Sequence, residues 1–281
     1  MKKYAIITMD VEDWYHTYFP EANVDRSISL LDGLDVALDI MKKDDIHGSF
    51  FVVGEIADKL ADKLREMNKE GHDIAVHNCQ HLRPVTMTPD EFRSQLLEAK
   101  QKIEGILGHQ VYGYRAPSFG IDDERLDIVR ECGFKYDSSK LKPQKSAKYG
   151  VLNLKDFKET IPCVHQTKGF TEFEVSTEKI GDMNMLLGGG YIRMLPWFFM
   201  KHMTQKYLDS GKPYVMYIHP IDLSPKPMPK VDGISFDRYL RTHIGRRHMV
   251  WRFKKVIEML KKSGYEFVTF EELLKIYPTE E

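Results

Sequence analysis

The chain has 281 residues, of which 42% are hydrophobic, so it can bury the core of one large α/β domain or of two small ones. Its 41 basic and 42 acidic side chains leave a formal net charge of −1. This balance argues against nucleic acid or an anionic membrane as the main partner. It favours an enzyme or binding protein that acts on a small molecule or a neutral polymer.

The amino terminus lacks the pattern of an export signal or a membrane span. Its apolar run, Tyr4–Ile7, is much shorter than the ~20 apolar residues of a membrane-spanning helix, and no small-residue cleavage site follows it. The three cysteines, Cys79, Cys132 and Cys163, are odd in number and far apart, which argues against a disulfide framework. We therefore expect the protein in the reducing cytoplasm.

Seven short, apolar and β-branched runs predict strands of a parallel sheet that is covered on both faces. They are Tyr4–Met9, Gly48–Val53, Asp73–Val76, Val111–Tyr114, Phe134–Asp137, Tyr214–Ile218 and Glu266–Phe270. Helical patterns separate most of them. Seven strands with crossover helices favour a closed or nearly closed parallel barrel over an open sheet.

Three segments between or after the strands carry clear helix signals. Thr88 is an N-cap before Pro89 and two acidic residues, and apolar residues then recur at helical spacing as far as Gly108. Leu126–Glu131 and Val250–Lys262 predict two further helices, each followed closely by a glycine.

No linker or repeat divides the chain, so we predict a single catalytic domain over residues 1–281. The region 140–190 interrupts the alternation of strands and helices, and it predicts an insertion or a long loop over the barrel mouth before the sixth strand. Three prolines between positions 225 and 229 indicate that residues 221–250 form a lid-like loop rather than a domain boundary.

Two histidines, His77 and His81, follow the third predicted strand. If the chain turns helical there, both imidazoles lie on one face and are close enough to share a metal ion. A complete site also needs an oxygen donor. Asp10, Glu12 and Asp13 follow the first predicted strand and are the best candidates.

Other polar residues also follow predicted strands, where the active sites of parallel α/β barrels lie. Arg115 follows the fourth strand, Asp137 the fifth and His219 the sixth. Cys79, between the two histidines, is either a further ligand or, as we favour, a small buried filler that points away from the metal. The remaining histidines, including His16, lack such a context and are interpreted as structural or surface residues.

At these positions the chain resembles the polysaccharide deacetylase superfamily, carbohydrate esterase family four. That family has an aspartate motif after its first strand, then a His-x-x-x-His, an Arg-x-Pro and a late His-Pro-type motif. In the same order this chain has Asp10, His77 with His81, Arg115 with Pro117, and His219 with Pro220. The Asp-Val-Glu-Asp-Trp opening and the glycines at 188–190 are similar to a bacterial subgroup found with exopolysaccharide or surface-glycan genes.

The resemblance implies a distorted (β/α)7 barrel and metal-dependent removal of an N-acetyl group from an amino sugar. A divalent metal, zinc or else cobalt or nickel, would be bound by His77, His81 and a carboxylate. Relatives with an Asp-x-Asp motif favour Glu12 as that carboxylate. Along a continued strand Glu12 shares a face with Asp10, whereas Asp13, the competitor, points away.

The chemistry of amide hydrolysis gives roles to further residues of these motifs. Asp10 would be the general base for a metal-activated water, and Arg115 would orient it and keep it ionised. His219 would protonate the leaving amine. The metal and a backbone N–H near position 118 would share the oxyanion. The substrate-binding wall would consist of Pro117, Ser118 and Phe119.

Two alternatives stay open at this point. A relative that hydrolyses a non-sugar C–N bond, as the allantoinase-like and deformylase branches do, would use the same kind of site. A catalytically silent barrel that binds glycan within a synthesis complex would bind carbohydrate without releasing acetate.

Overall fold

The computed structural model of the protein describes residues 2–19, 24–142 and 150–280, and it is a mixed α/β fold. The strands are β1 (Lys3–Val11), β2 (Ser49–Val52), β3 (Asp73–Val76), β4 (Gly113–Tyr114), β5 (Tyr136–Asp137), β6 (Lys158–Ile161), β7 (Val164–Thr167), β8 (Phe170–Phe173), β9 (Thr177–Ile180), β10 (Met183–Leu186), β11 (Tyr214–Ile218) and β12 (Tyr265–Phe267). The helices are α1 (Trp14–Tyr18), α2 (Asp32–Lys43), α3 (Gly54–Ala57), α4 (Ala61–Lys69), α5 (Pro89–Leu107), α6 (Asp123–Glu131), α7 (Gly189–Met194), α8 (Trp197–Asp209), α9 (Pro220–Leu223), α10 (Phe236–His243), α11 (Arg246–Lys262) and α12 (Phe270–Ile276).

Seven parallel strands form the body of a curled sheet, in the order β11-β1-β2-β3-β4-β5-β8. Just after β8, Ser176 donates its backbone N–H to the carbonyl of Val215 in β11, and its hydroxyl accepts from the N–H of Val215. These bonds bring the two ends of the row together. The predicted α/β class, with parallel strands and helical crossovers, is confirmed.

Side chains of β1 alternate between two hydrophobic clusters. Ile7 and Met9 pack with the surrounding helices, whereas Tyr4 and Ile6 belong to a second cluster inside the barrel. Because neighbouring side chains of a strand point to opposite faces, Asp10 has the same orientation as Tyr4 and Ile6. The alternation therefore turns Asp10 toward the barrel interior at the carboxyl end of β1.

The strand assignment differs from the prediction in one place. The seventh place in the row belongs to β8, which lies within the region 140–190, and not to the predicted strand Glu266–Phe270. Residues 265–267 do form a short strand, β12, but it pairs only along the start of β1. A search for apolar runs overlooks β8 because its buried centre consists of the polar residues Thr171 and Glu172.

The region 140–190 also contributes antiparallel pairs. β6, β7 and β8 continue the sheet as an antiparallel extension, and β9 with β10 form a separate hairpin. Residues 143–149 of the predicted insertion lie outside the described residues. The predicted lid-like loop 221–250 contains the rest of α9, the whole of α10 and the first residues of α11.

Local sequence features fix the ends of α5 and the packing of α2. α5 begins with a reciprocal cap, in which Thr88 Oγ1 accepts from the N–H of Glu91 and the Glu91 carboxylate accepts from the N–H of Thr88. It ends at Gly108, whose φ of 77° is readily adopted only by glycine. α2 packs closely on α9 through Gly33, where a Cβ would lie 1.9 Å from the carbonyl oxygen of Pro220.

Candidate active site

The carboxyl end of β1 carries the acidic residues of the site. Asp10 and Glu12 are buried beside the interior of the barrel, and the backbone N–H of Glu12 donates to the carbonyl of Asp10. Asp13 points elsewhere, because its carboxylate caps α1 by accepting from the N–H of Trp14 and also accepts from the N–H of Leu30. The structure therefore places Glu12, and not Asp13, next to the histidines.

His77 and His81 come together without the helix that their spacing suggested. The chain leaves β3 as a loop in which Asn78 has a φ of 63°, and the two rings lie with centroids 5.2 Å apart. A positive φ is uncommon for a non-glycine residue and is concentrated at functional sites. The sharp bend brings both imidazoles to the same end of the barrel as Glu12.

The ligand atoms of Glu12, His77 and His81 lie within 4.8 Å of one another. Oε2 of Glu12 is 2.5 Å from Nε2 of His81 and 3.8 Å from Nε2 of His77. That oxygen is buried and has no hydrogen-bond partner among the described residues. A buried, unpaired carboxylate oxygen that faces two imidazole nitrogens is the donor set of a divalent transition-metal ion, so these residues fit such an ion.

Hydrogen bonds from neighbouring residues orient the side chains of His77 and Glu12. Nδ1 of His77 donates to the carbonyl oxygen of Arg115 at 2.8 Å, which leaves the lone pair of Nε2 directed at Glu12. The hydroxyl of Thr17 donates to the other carboxylate oxygen of Glu12 at 2.5 Å. The group is thus held from β1, from the loop after β3, from the loop after β4 and from α1.

The protonation states also suit metal binding. Burial lowers the pKa of His77 to about 4, so its imidazole is neutral at pH 7. Burial raises the pKa of Glu12, but the imidazoles of His81, His219 and His77 outweigh this effect and hold it well below its ordinary value. A neutral imidazole and an ionised carboxylate are the forms that coordinate a cation.

Arg115 is fully buried and fixes Asp10. One of its terminal nitrogens donates to Oδ1 of Asp10 at 2.7 Å and to the hydroxyl of Thr8 at 2.8 Å. Its other N–H groups donate to the carbonyl and the hydroxyl of Ser138. The guanidinium lies 4.1 Å from the ring centroid of Phe51. Such a charge-assisted pair leaves Asp10 with one fixed oxygen and one, Oδ2, that faces the site.

His219 approaches from β11 on the other side. Its Nε2 is 3.7 Å from Oε1 of Glu12 and 3.9 Å from Oδ2 of Asp10, while its Nδ1 donates to Oδ2 of Asp222 at 3.1 Å. Burial lowers the pKa of His219, but the hydrogen bond and charge of Asp222, with Glu12 and Asp10, raise it overall to about 9. Asp222 in turn accepts from Nε of the buried Arg193 at 2.8 Å.

The turn after Arg115 forms one wall of the site. Ser118 and Phe119 both have positive φ values, 53° and 57°, and this is a strained arrangement for two successive non-glycine residues. The ring of Phe119 packs edge-on against Tyr217 at 5.2 Å, and Tyr217 packs against His219 at 5.5 Å. The turn is therefore coupled by aromatic contacts to the strand that carries His219.

A cleft of about 480 Å³ opens beside His219. Aromatic and apolar residues from α1, α7, β11 and the end of α10 line most of it, and Asp237 with Arg241 lie at one side. These two form an exposed ion pair at 3.0 Å, so the wall carries no net charge there. Tyr191, which lines the cleft, is 40% exposed and offers an aromatic ring to a bound molecule.

Cys79 does not face the group of Glu12, His77 and His81. Burial and a hydrogen bond to Glu98 raise the pKa of its thiol to about 11, which agrees with a small buried filler.

Asp137 is also buried, and burial raises its pKa beside Glu172. It supports the site indirectly, because its carboxylate accepts from the hydroxyl and the N–H of Ser139.

The sequence interpretation missed several residues that position the site. Thr8 and Ser138 hold Arg115, Thr17 holds Glu12, and Asp222 holds His219. Asp222 could have been recognised, since it lies three residues after His219 at the start of the predicted lid-like loop. The others make contacts across the barrel and leave no pattern in the sequence.

Two sequence models match the chain. Residues 31–136 match the model of the family described as polysaccharide deacetylase, and residues 138–275 match a domain of unknown function, DUF3473. Over residues 31–136 the chain is thus similar to the polysaccharide deacetylase family. The first match contains both histidines and Arg115, whereas His219 lies in the second.

Curated relatives match less than half of the chain. A peptidoglycan deacetylase of Helicobacter pylori is 25% identical over 107 residues, which are 38% of this chain and 36% of that protein. A peptidoglycan-N-acetylmuramic acid deacetylase of Bacillus subtilis is 28% identical over 120 residues, or 40% and 46% of the two chains. The chain therefore spans less than half the length of these relatives. The predicted class, a hydrolase of the deacetylase kind, agrees with them.

Solved structures resemble the whole fold. A Mycobacterium smegmatis protein described as a polysaccharide deacetylase superimposes with a TM-score of 0.63 at 19% identity, covering 98% of this chain and 90% of that one. A family 4 acetyl xylan esterase from Clostridium thermocellum, solved with a cobalt ion, gives 0.53 at 17% identity, with 99% and 93% covered. At these identities the likeness concerns the fold alone, and it confirms the distorted (β/α)7 barrel.

Among the residues that the structure describes, none of the helices combines the length and the apolar character needed to cross a bilayer.

Proposed function

We propose that the protein is a metal-dependent deacetylase that hydrolyses the N-acetyl group of an amino sugar. One observation carries the proposal: Asp10 and His219 flank the cation-binding group of Glu12, His77 and His81 at the carboxyl end of one barrel. Base, acid and metal ligands within a few ångströms of one another are the parts that amide hydrolysis needs.

Glu12, His77 and His81 would hold the metal ion. When bound, the ion would supply a water of lowered pKa and an electrophile for the acetyl carbonyl. Zinc is the ion we propose, because two imidazoles and one carboxylate are a common catalytic zinc set; cobalt and nickel accept the same donors.

The protein's own residues would move the protons. Asp10, with Oδ1 held by Arg115, takes a proton from the attacking water on Oδ2. The water oxygen bonds to the carbonyl carbon, and the C–N bond then breaks. His219, kept protonated beside Asp222, gives its Nε2 proton to the departing amine. Acetate and a free amino sugar are the products.

The turn after Arg115 would contact the substrate. Pro117, Ser118 and Phe119 would form the wall next to Asp10, and Ser118 is the exposed member of the three. Its backbone has a strained, positive φ. We propose that its N–H donates a hydrogen bond to the oxyanion, which the metal would also stabilise. These roles stay predictions until variants of the turn are assayed.

The named relatives support an acetylated glycan as the substrate. Peptidoglycan deacetylases are among them, and the Asp10-Val11-Glu12-Asp13 motif resembles that of the subgroup found with surface-glycan genes. We propose an N-acetylated amino sugar of a surface glycan or its precursor as the substrate. The cysteine pattern leads us to propose the cytoplasm as the compartment.

Acetate release tests the proposal directly. Protein purified without chelator and supplied with zinc would be incubated with N-acetylglucosamine oligomers and with peptidoglycan fragments, and acetate would be measured together with bound metal. We expect near-stoichiometric zinc and acetate release that a chelator abolishes. A different result would favour the allantoinase-like alternative: the protein binds zinc and hydrolyses a non-sugar amide, but it releases no acetate from any of these substrates. Glycan binding without any turnover would favour the silent barrel.

A further inference from the structure

Large exposed hydrophobic side chains are concentrated in one part of the chain. Among the residues that the structure describes, ten such side chains are exposed, and six of these lie within residues 191–251. Single exposed hydrophobic residues are ordinary, whereas a group of them on neighbouring elements marks an interaction surface. We call this group the hydrophobic face; it consists of Tyr191, Phe198, Phe236, Tyr239, Ile244 and Trp251.

The elements that carry the hydrophobic face are in contact with one another. Arg193 of α7 donates a hydrogen bond to the carbonyl of Ile244, at the end of α10. Arg252 of α11 donates to backbone carbonyls of α7 and of the residue after it. Trp197, the first residue of α8, packs edge-on against Trp251 of α11, with ring centroids 5.1 Å apart. α7 therefore links α10 to α8 and α11, and the six side chains lie on adjoining elements.

α10 turns its apolar side outward. Phe236, Leu240 and Ile244 recur at four-residue spacing, which places them along one side of the helix, and Phe236 is 75% exposed. The buried residue of α10 is the polar Thr242, whose hydroxyl donates back to the carbonyl of Arg238. A surface helix ordinarily buries its apolar side against the core. The reversed arrangement indicates that this side of α10 contacts something outside the chain.

The same part of the chain is strongly basic, and the net charge of −1 for the whole chain conceals this. Residues 236–262 contain nine lysines and arginines, but their acidic residues are only Asp237 and Glu258. Each of these two is paired with a basic residue of its own helix, Asp237 with Arg241 and Glu258 with Lys255. The excess of positive charge attracts an anionic partner. It also disfavours a second copy of the same face, because like charges repel.

An anionic lipid bilayer combines the two properties that this surface requires. Aromatic side chains are favoured at the boundary between headgroups and acyl chains, and lysine and arginine are attracted to anionic headgroups. α10 has eight residues, far fewer than the ~20 of a membrane-spanning helix, so it would lie in the plane of the interface. An amphipathic helix with an exposed apolar side and basic neighbours is the usual element of this kind.

We propose that the hydrophobic face docks the protein on an anionic lipid bilayer, with Phe198 and Phe236 entering the headgroup region. This docking goes beyond the proposed function and does not depend on it. Tyr191 and Ile244 also line the cleft beside His219, so docking would turn the mouth of that cleft toward the bilayer. If the proposed function holds, an amino sugar linked to a membrane lipid is then the favoured substrate; this consequence rests on the proposed function.

Cosedimentation with lipid vesicles tests the docking. The full chain would be mixed with vesicles of equal parts phosphatidylcholine and phosphatidylglycerol, and with vesicles of phosphatidylcholine alone. The main variant combines Phe198→Ser with Phe236→Ser, the two most exposed residues of the hydrophobic face. The matched control is Ile276→Ser, an exposed apolar residue of α12, the helix that begins at the amino end of β2. Arg247→Gln removes an exposed basic residue at the start of α11.

We expect the protein to bind the anionic vesicles, and to bind them less well in high salt or when phosphatidylglycerol is absent. The double variant should bind about tenfold more weakly, because its apolar contacts with the bilayer are lost. Arg247→Gln should bind about fivefold more weakly, the loss expected for one basic residue at such a surface. Ile276→Ser should bind as the wild type does. Melting temperature, recorded for each protein, shows that the variants are folded.

Three results would overturn the docking. The first is that the wild-type protein does not sediment with anionic vesicles. The second is full binding by the folded double variant, or by Arg247→Gln if the double variant does not fold. The third is a dimer, seen by sedimentation velocity, that the double variant disrupts while vesicles remain unbound; the hydrophobic face would then join two copies of the chain. Acetate release from a soluble N-acetylglucosamine oligomer judges the proposed function separately, since vesicle binding needs no turnover.

Discussion

At the scale of single residues, most buried polar groups of the site form hydrogen bonds with one another. Oε2 of Glu12 is one of the few described atoms there that are buried and have no hydrogen-bond partner. An unpaired buried carboxylate oxygen is costly, by ~1–3 kcal/mol or more. Metal binding would remove this cost, and metal should therefore stabilise the fold as well as enable chemistry.

The first prediction concerns the metal ligands. His77→Ala should lose bound zinc and activity together, because it removes one of three protein ligands. The affinity should fall by more than the ~10–100-fold that follows loss of an outer-sphere partner. Elemental analysis after purification without chelator checks this. The matched control is His202→Ala, an exposed histidine of α8; full zinc in His77→Ala would refute the ligand assignment.

The second prediction separates the base from the metal. Asp10→Asn should keep stoichiometric zinc and lose turnover by ~10²–10⁴, the usual contribution of a general base. Acetate release and metal content, measured on the same sample, provide the test. If turnover is unchanged, Asp10 has a structural role and acts as the partner of Arg115 only.

Several residues of the site could be anticipated from the sequence, and the reason is short-range geometry. Asp10 and Glu12 are two positions apart after a strand, and alternation along a strand gives them one face. Thr8 could not be anticipated, because it accepts a hydrogen bond from Arg115, which lies 107 residues further along the chain.

At the scale of elements, the position of His219 depends on how α9 packs against α2. Gly33 lies at the contact, where a Cβ would meet the backbone of Pro220 and of Ser224. Backbone cannot yield as a flexible side chain does. The position of His219, the proposed acid, therefore depends on α2, a helix that contributes none of the proposed catalytic residues.

The third prediction follows from this contact. Gly33→Ala should destabilise the protein by ~1–3 kcal/mol, as overpacking does, and reduce turnover, because the displaced α9 carries Asp222, the partner of His219. Thermal unfolding and acetate release would measure the two effects. The control is Gly105→Ala in α5, where a Cβ meets nothing within 4 Å. It should leave turnover unchanged and stabilise by up to ~1 kcal/mol. Equal behaviour of the two variants would refute the packing argument.

Elements were predictable where propensity and burial agreed, and not where they conflicted. The cap at Thr88 and the glycine at 108 predict α5 correctly. β8 escaped detection because Glu172 is buried in its centre. Burial raises the pKa of Glu172 well above its ordinary value, and so does the neighbouring Asp137. A protonated carboxyl group can be buried in a strand as a neutral group. A pattern based on residue types counts every glutamate as charged and therefore misses the strand.

At the scale of the whole molecule, the proposed catalytic residues lie at one end of the barrel and a buried carboxyl group that affects stability lies at the other. The proposed chemistry lies at the carboxyl ends of the strands, while Asp73, at the amino end of β3, lies at the opposite end. Its Oδ2 accepts from the hydroxyls of Tyr136 and Ser49. Burial, with the charge of Glu271, raises the pKa of Asp73 to about 7, although the two hydrogen bonds lower it. Stability and activity can thus be perturbed independently.

The fourth prediction is a pH dependence of stability from this residue. The folded protein holds the Asp73 proton up to about pH 7, whereas the unfolded chain releases it near pH 4. Because the folded state binds more protons in this window, the contribution of Asp73 is full below pH 4 and is lost as the pH rises to 7. Asp73→Asn should remove this part of the slope. Denaturant unfolding of both proteins between pH 4 and pH 8 measures it, and parallel profiles would contradict the assignment.

The antiparallel extension has a consequence for self-association. β6 is the outermost strand of its sheet and pairs, among the described residues, with β7 alone. An open strand edge can recruit the same edge of another copy and begin aggregation. Here Lys158 and Glu159 are exposed along that edge, and the pairing with β7 shifts register between Glu159 and Ile161. Charge and irregular pairing are the features that discourage such recruitment, so we expect the edge of β6 to resist pairing with a second copy of the chain.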